Sequence, residues 1–301
     1  MPRSCLFLGA LIAVFAMGAE KNIDWTAAAA KYGGITDKTV SEVQSKAEKG
    51  DSDAQYELGL TFYYGILVAK NDAVAAKWLR KAADQGITGA KYFLSLICLK
   101  KGATKQEITL GMTLLREAAN KGYPEAQSGL GEAYENGAFG APNDGEAVTW
   151  FQRAAEQGDE LGQVKLGFMY SQGRAVPKDE VEAVKWYRKA AEQGNAVAQN
   201  DLALQYFTGK VVSRDGAEAI KWLRKAAEQG LPQAQLFLGN LYAAGMDVPK
   251  DEAEGYKWLL LAGAQGVEKA RIAYSALEAK LTPAMREAGQ RKAREFKAAK
   301  Q

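Results

Sequence analysis

Apolar and small residues recur at spacings of three and four along most of this chain, the interval that gathers side chains on one face of an α-helix. Ala126, Leu130 and Tyr134 make one such row, and Ala183, Trp186, Ala190 and Ala191 make another. Each row stops at a glycine, the residue that accepts the left-handed backbone of a helix C-cap. Rows of the first kind stop at Gly65, Gly137, Gly173, Gly209 and Gly245, and rows of the second kind at Gly50, Gly86, Gly122, Gly158, Gly194, Gly230 and Gly266. A short loop joins the two kinds, nearly identical in Val176-Pro177-Lys178-Asp179 and Val248-Pro249-Lys250-Asp251. Its aspartate is placed to cap the next helix by accepting free backbone N–H groups. The pattern predicts paired helices and an all-α chain.

The glycines of the second kind stand at one constant step of 36 residues, so the chain is a repeat array. A fixed period of this size marks a solenoid, in which each unit packs on its neighbours and function lies in the extended surface. Six full units follow, spanning 55–86, 91–122, 127–158, 163–194, 199–230 and 235–266. Trp78, Trp150, Trp186, Trp222 and Trp258 hold one register, with Leu114 in the remaining place. Large aromatics set against small alanines are expected to build the repeat core. Gly59, Gly131, Gly167 and Gly239 stand in mid-helix, where glycine costs about 1 kcal/mol relative to alanine. Their place, taken elsewhere by the small Ser95 and Ala203, predicts close approach between helices.

These residues resemble the Sel-one-like repeat, a relative of the tetratricopeptide repeat. The motif is Ala-x-x-x-Leu-Gly-x-x-Tyr-x-x-Gly, then Asp, then Ala-x-x-Trp-Tyr/Leu-x-Lys-Ala-Ala-x-Gln-Gly, repeated in register from Ala54 to Gly266. The resemblance implies a right-handed α/α superhelical solenoid of helix-turn-helix repeats. It also implies an adaptor for a protein or peptide partner, with no shared catalytic residue. Exported bacterial members of this type are associated with envelope regulation, secretion or host contact. On this reading 20–50 holds N-terminal helices and a capping half-repeat, 51–266 the six repeats, and 267–301 the C-terminal capping helices.

Residues 1–19 read as a secretory signal peptide: Arg3, then the apolar run Cys5 to Met17, then small residues at Ala16, Gly18 and Ala19. The expected location is therefore the periplasm or the medium. Cleavage would leave Cys98 as the single cysteine, so no intramolecular disulfide is expected even in an oxidising compartment. The formal net charge of +3 calls for no nucleic-acid partner. Within it, Leu281 to Gln301 carries Arg286, Arg291, Lys292, Arg294, Lys297 and Lys300 against Glu287 and Glu295. A solvated capping helix is expected there, and membrane contact is expected from no other segment.

The unit 91–122 departs most from the pattern. Its first helix, with Tyr92, Phe93, Leu94, Ile97, Cys98 and Leu99, is apolar nearly all round, as for a helix buried on several faces or meeting a partner. Tyr63, Tyr64, Phe93, Ile97, Leu99 and Phe207 are the candidate partner-binding residues. A basic ladder, Lys77, Arg80 and Lys81, then Lys185, Arg188 and Lys189, then Lys221, Arg224 and Lys225, reads as surface solvation, locally compensated by Asp84, Glu192 and Glu228 four residues after each arginine.

The chain has no histidine, which removes serine-histidine and cysteine-histidine nucleophile pairs and histidine-based zinc sites. No phosphate-binding glycine loop is present, and acidic groups such as Asp179, Glu180 and Glu182 stand at helix starts, where the helix dipole favours them. No cofactor, metal or catalytic residue is expected, and the leading function is a non-catalytic binding scaffold. Two other readings stand beside it. A cell-wall or β-lactam hydrolase would follow a cysteine-rich branch of similar repeats, whose paired cysteines are missing here. A glycan-binding module would use Tyr63, Tyr64 and Phe207.

Overall fold

Helix starts in this chain are written by side chains that can accept from free backbone N–H groups, and the structure uses them repeatedly. In the computed structural model residues 37–298 are described, and every regular element among them is an α-helix. The expected leader 1–19 and the first part of the expected N-terminal segment 20–50, up to residue 36, lie outside the described residues. Contacts group the chain into two compact units, the first ending at Gly162 and the second beginning at Gln163.

The first unit holds α1 (Asp37–Glu48), α2 (Ser52–Tyr64), α3 (Asp72–Asp84), α4 (Thr88–Cys98), α5 (Lys105–Asn120), α6 (Pro124–Glu135) and α7 (Asp144–Glu156). It ends within α8 (Glu160–Gln172). The second unit holds the rest of α8, then α9 (Glu180–Glu192), α10 (Ala196–Thr208), α11 (Gly216–Glu228), α12 (Pro232–Ala244), α13 (Glu252–Ala264), α14 (Glu268–Glu278) and α15 (Pro283–Ala298). Within each unit successive helices pack on one another, as expected of helix-turn-helix repeats. Asp179 caps α9 by accepting from Glu182 N at 2.9 Å, and Asp251 caps α13 by accepting from Glu254 N at 2.9 Å. Gly245, at φ 71°, closes α12 and returns its N–H to Leu241 O. In α5 the Thr104 hydroxyl and the Glu107 carboxylate cap reciprocally.

The mid-helix glycines mark the tightest points of the stack. A Cβ on Gly131 would lie 2.6 Å from Phe151 Cε1, and Phe151 is fully buried. At the same register Gly59 receives Leu79, Gly167 receives Tyr187 and Gly239 receives Leu259. In these four repeats the second-type helix thus pushes one large side chain onto bare backbone of the first-type helix before it.

A second periodic device is polar. Gln199 is buried; its Nε2 donates to Ala191 O at 3.1 Å, and its Oε1 accepts from Gln229 Nε2 at 2.8 Å. Gln229 also donates to Gly194 O at 2.7 Å. The same clamp joins Gln235 to Ala227, Gln265 and Gly230, and joins Gln55 to Ala47, Gln85 and Gly50. Gln127 likewise donates to Ala119 O and accepts from Gln157. In the divergent unit Lys91 and Lys121 stand at these positions, and the Lys91 ammonium pairs instead with Glu117.

Trp150, Trp186, Trp222 and Trp258 are buried, while Trp78 is half-buried. The basic ladder covers their rings: Lys189 Nζ stands 3.9 Å from the Trp186 centroid, Lys225 4.2 Å from Trp222, and Lys81 4.2 Å from Trp78. The expected arginine–acid compensation is replaced. Arg224 hydrogen-bonds the Tyr242 hydroxyl and Arg188 lies over the Tyr206 ring. In α4, neighbours cover the apolar surface: Phe93 is 8 % exposed, Leu94 and Cys98 are buried, and Ile97 packs into the same cluster. Phe93 is therefore a core residue, because α3 and α5 close over the helix that carries it.

At the C-terminal end α15 lies on α13. Ala293 is buried, Phe296 packs edge-on against Trp258 at 5.3 Å, and Lys292 pairs with Glu254 at 2.9 Å and Asp251 at 3.6 Å. No helix among the described residues is long and apolar enough to cross a membrane.

Two substitutions test the packing. Gly131→Ala is expected to lower the melting temperature, because overpacking against Phe151 costs about 1–3 kcal/mol and outweighs a helix-propensity gain of about 1 kcal/mol; an unchanged or higher melting temperature would show that the helices part freely. Gln199→Leu removes the side-chain donor to the Ala191 carbonyl, which still accepts from Gly194 N, and the acceptor of one Gln229 N–H; it should lower stability to denaturant by about 0.5–1.5 kcal/mol.

Candidate functional site

First-type helices in both units present side chains that the clamp and the glycine contacts leave unused. The position after the clamp residue, half-buried except at the buried Ser128, varies along the chain: it is Tyr56, Tyr92, Ser128, Val164, Asn200 and Leu236 in successive repeats. Chemistry varies there while the packing positions repeat.

In the first unit the variable positions converge into an aromatic cluster. Tyr63 and Tyr64 meet edge-on at 5.0 Å, and Phe93 stands 5.5 Å from Tyr63 and 5.9 Å from Tyr64. Tyr92 packs on Phe93 at 5.1 Å and on Tyr123 at 5.2 Å, and the side chains of Tyr56 and Tyr123 hydrogen-bond. Lys70 and Lys100 stand 5.4 and 5.5 Å from the Tyr63 ring. Glu125 and Asp159 add carboxyl groups, the latter accepting from Gly162 N at 2.7 Å. Burial pushes the Tyr56 phenol up to about 12 and raises those of Tyr64, Tyr92 and Tyr123 as well. Burial likewise raises the carboxyls of Glu125 and Asp159. The phenols are thus neutral hydroxyls at physiological pH, suited to stacking and hydrogen bonding rather than to nucleophilic attack.

In the second unit, α8, α9 and α10 enclose a groove of about 350 Å³. Phe168 and Leu204 form apolar walls at 39 % and 44 % exposure. Tyr187, Ser171, Asp201, Gln205 and Thr208 supply polar lining. Asp201, Leu204, Gln205 and Thr208 follow at spacings of three and four, so one face of α10 provides them all.

The structure brings Tyr63, Tyr64 and Phe93 together. It sends Ile97 and Leu99 into packing, with Leu99 beside Gly111. Phe207 lies in the second unit, half-buried and edge-on to Phe237 at 5.0 Å. Sequence reasoning passed over Tyr56, Tyr123, Asp201, Leu204 and Gln205. The register of Leu204 is Leu60, Leu96, Glu132, Phe168 and Asn240 in the other repeats, so the sequence alone does not separate the exposed Leu204 from the buried Leu60. Among the described residues no group of three histidine, cysteine, aspartate or glutamate side chains is arranged to hold a metal ion.

Comparison with known protein families matches the Sel1 repeat to residues 52–87, 89–123, 124–159, 161–195, 196–231 and 232–267. Among solved structures, the chain is similar to c5321, described as a protective antigen present in uropathogenic Escherichia coli strains displaying an SLR fold. The TM-score is 0.76 at 30 % identity, covering 86 % of this chain and 56 % of that one. It is also similar to a Sel1 repeat protein from Oxalobacter formigenes, with a TM-score of 0.66 at 29 % identity over 75 % of this chain and 99 % of that one. A curated relative, the ERAD-associated E3 ubiquitin-protein ligase component HRD3B of Arabidopsis thaliana, is 31 % identical over 122 residues, 40 % of this chain. The chain spans less than a fifth of the length of the curated relatives it matches, 7 % and 19 %.

On α2, Glu57 stands at the register of Asp201, and its titration is a test of this face. Burial, reinforced by Asp53, raises its carboxyl to about 7 from an ordinary 4.5. Between those values the folded chain holds a proton that the unfolded chain has lost, so stability falls as pH rises and the penalty is complete above about 7. Glu57→Gln should therefore raise the melting temperature at pH 8 and leave it nearly unchanged at pH 4. An equal shift at both pH values, followed by circular dichroism, would contradict the burial of this carboxyl.

Proposed function

The chain belongs to the Sel1 repeat family, whose fold supports protein–protein interaction scaffolds, and from that premise we propose that it is an exported, non-catalytic adaptor that holds a protein or peptide on its first-type helices. One observation carries the reading: within a single chain the packing positions repeat while the neighbouring half-buried positions change from tyrosine to valine, asparagine and leucine. A surface diversified on a constant frame is how solenoids acquire partners. The aromatic cluster of the first unit and the groove of the second supply stacking, hydrogen-bonding and apolar contacts of the kind that anchor interfaces.

Export is supported by the leader pattern of residues 1–19. Envelope regulation, secretion or host contact is supported by likeness to a protein described as a protective antigen of uropathogenic bacteria. Membership of HRD3B in a ligase assembly is a property of that protein, and accords with an adaptor role here. A hydrolytic role has no motif to rest on, since the chain lacks histidine and the paired cysteines of the branch to which that activity is attached.

The test is cross-linking capture with tagged 20–301 in its native envelope and culture fluid, read by mass spectrometry. A dominant protein partner, cross-linked through the lysines nearest the aromatic cluster, Lys70 and Lys100, or through those of the groove, Lys178 and Lys210, is the expected outcome. Retention on polysaccharide alone, abolished by Tyr64→Ala, would overturn the reading in favour of a glycan-binding module.

A further inference from the structure

The groove between α8, α9 and α10 carries more hydrogen-bond acceptors than its own donors satisfy. Gln205 Oε1 is buried and has no partner. The Asp201 carboxylate accepts, among the described residues, one hydrogen bond, from Asn200 Nδ2 at 3.4 Å, a long contact with its immediate neighbour. Burial raises the Asp201 carboxyl above the usual carboxylate range, as expected of an acid held against apolar walls without a cation. Orphaned buried acceptors are rare in folded proteins because each costs free energy that a partner would recover.

The cations at the rim do not meet this demand. Lys178 is engaged by Glu180 at 3.0 Å, and Arg174 lies over the Phe168 ring at 5.8 Å. Lys210 lines the groove but makes no ion pair with Asp201. Phe168 and Leu204, both exposed, line the same groove together with Tyr187. A groove lined by exposed apolar side chains and by acceptors without donors complements one kind of side chain, an aliphatic stem that ends in a donor-only cationic head.

We propose that this groove binds a lysine or arginine side chain of a peptide partner, its stem between Phe168 and Leu204 and its head on Asp201 and Gln205 Oε1. The proposal rests on the scaffold reading above and gives it a ligand chemistry. The neighbouring repeats do not reproduce the site: the register of Asp201 is Lys165 and Phe237 in the repeats 163–194 and 235–266, and that of Gln205 is Met169 and Leu241.

The test is selection of phage-displayed random dodecapeptides on the full chain, followed by affinity measurement of the enriched peptides on wild type, Asp201→Asn, Gln205→Met and Leu204→Ser. Circular dichroism melts establish that each variant is folded. Leu204 is exposed, so its substitution keeps the test open if an acceptor variant fails to fold. Expected are peptides sharing one lysine or arginine beside an apolar residue, losing about tenfold or more in affinity on Asp201→Asn or Leu204→Ser, and losing affinity when the basic residue is changed to glutamine. Enriched peptides without a shared basic residue, or indifferent to these variants, would overturn the groove proposal and leave the scaffold reading intact. Failure to enrich any peptide would count against both. A concentration-dependent dimer dispersed by Leu204→Ser would assign the groove to a second copy of the chain and overturn the proposal as well.

Discussion

A buried glutamine that donates to the helix before it and accepts from a glutamine 30 residues later is the contact on which the repeat geometry depends. The end of a helix leaves carbonyl groups without intrahelical partners, and stacking repeats would bury those ends. Gln55, Gln127, Gln199 and Gln235 each add a side-chain donor at such an end, to the carbonyls of Ala47, Ala119, Ala191 and Ala227, which also accept from the glycine N–H three residues on. The second glutamine occupies the acceptor of the first, so no amide atom is wasted in the interior. Apolar packing drives the stack together, and this polar clamp sets the register at which it stops.

Register explains the other periodic features. Only when the helices meet at one height does Phe151 fall on Gly131, and Leu259 on Gly239. The same alignment lays lysines over tryptophan rings, so the basic ladder that resembles an electrostatic binding face is partly a lid on the core. Where the clamp is absent, at Lys91 and Lys121, several other repeat positions have also drifted: Leu114 replaces tryptophan, and α4 is nearly wholly apolar. Loss of a polar clamp is offset there by apolar burial on several sides.

With so much of each repeat committed to stacking, variation is confined to a few first-type positions and the loops. In the first unit these gather neutral phenols and two carboxyls. In the second they open a groove whose Gln205 and Asp201 acceptors its own donors leave largely unmet. Both arrangements offer the stacking surfaces, apolar contacts and hydrogen-bonding groups that anchor interfaces.

The one-dimensional pattern determined the helices, their pairing, the period and the caps, because those depend on residues three to four apart and on local backbone chemistry. It also located the close contacts at mid-helix glycines, since only a packing requirement offsets their propensity cost. What the tertiary structure decided is which apolar surface remains open. Phe93 and Leu204 both read as apolar residues on first-type helices, yet one is 8 % and the other 44 % exposed. Exposure depends on what neighbouring helices cover, which arises from contacts distant in sequence. The unpartnered Gln205 acceptor belongs to the same class: a glutamine's partners exist only once the helices around it have been placed.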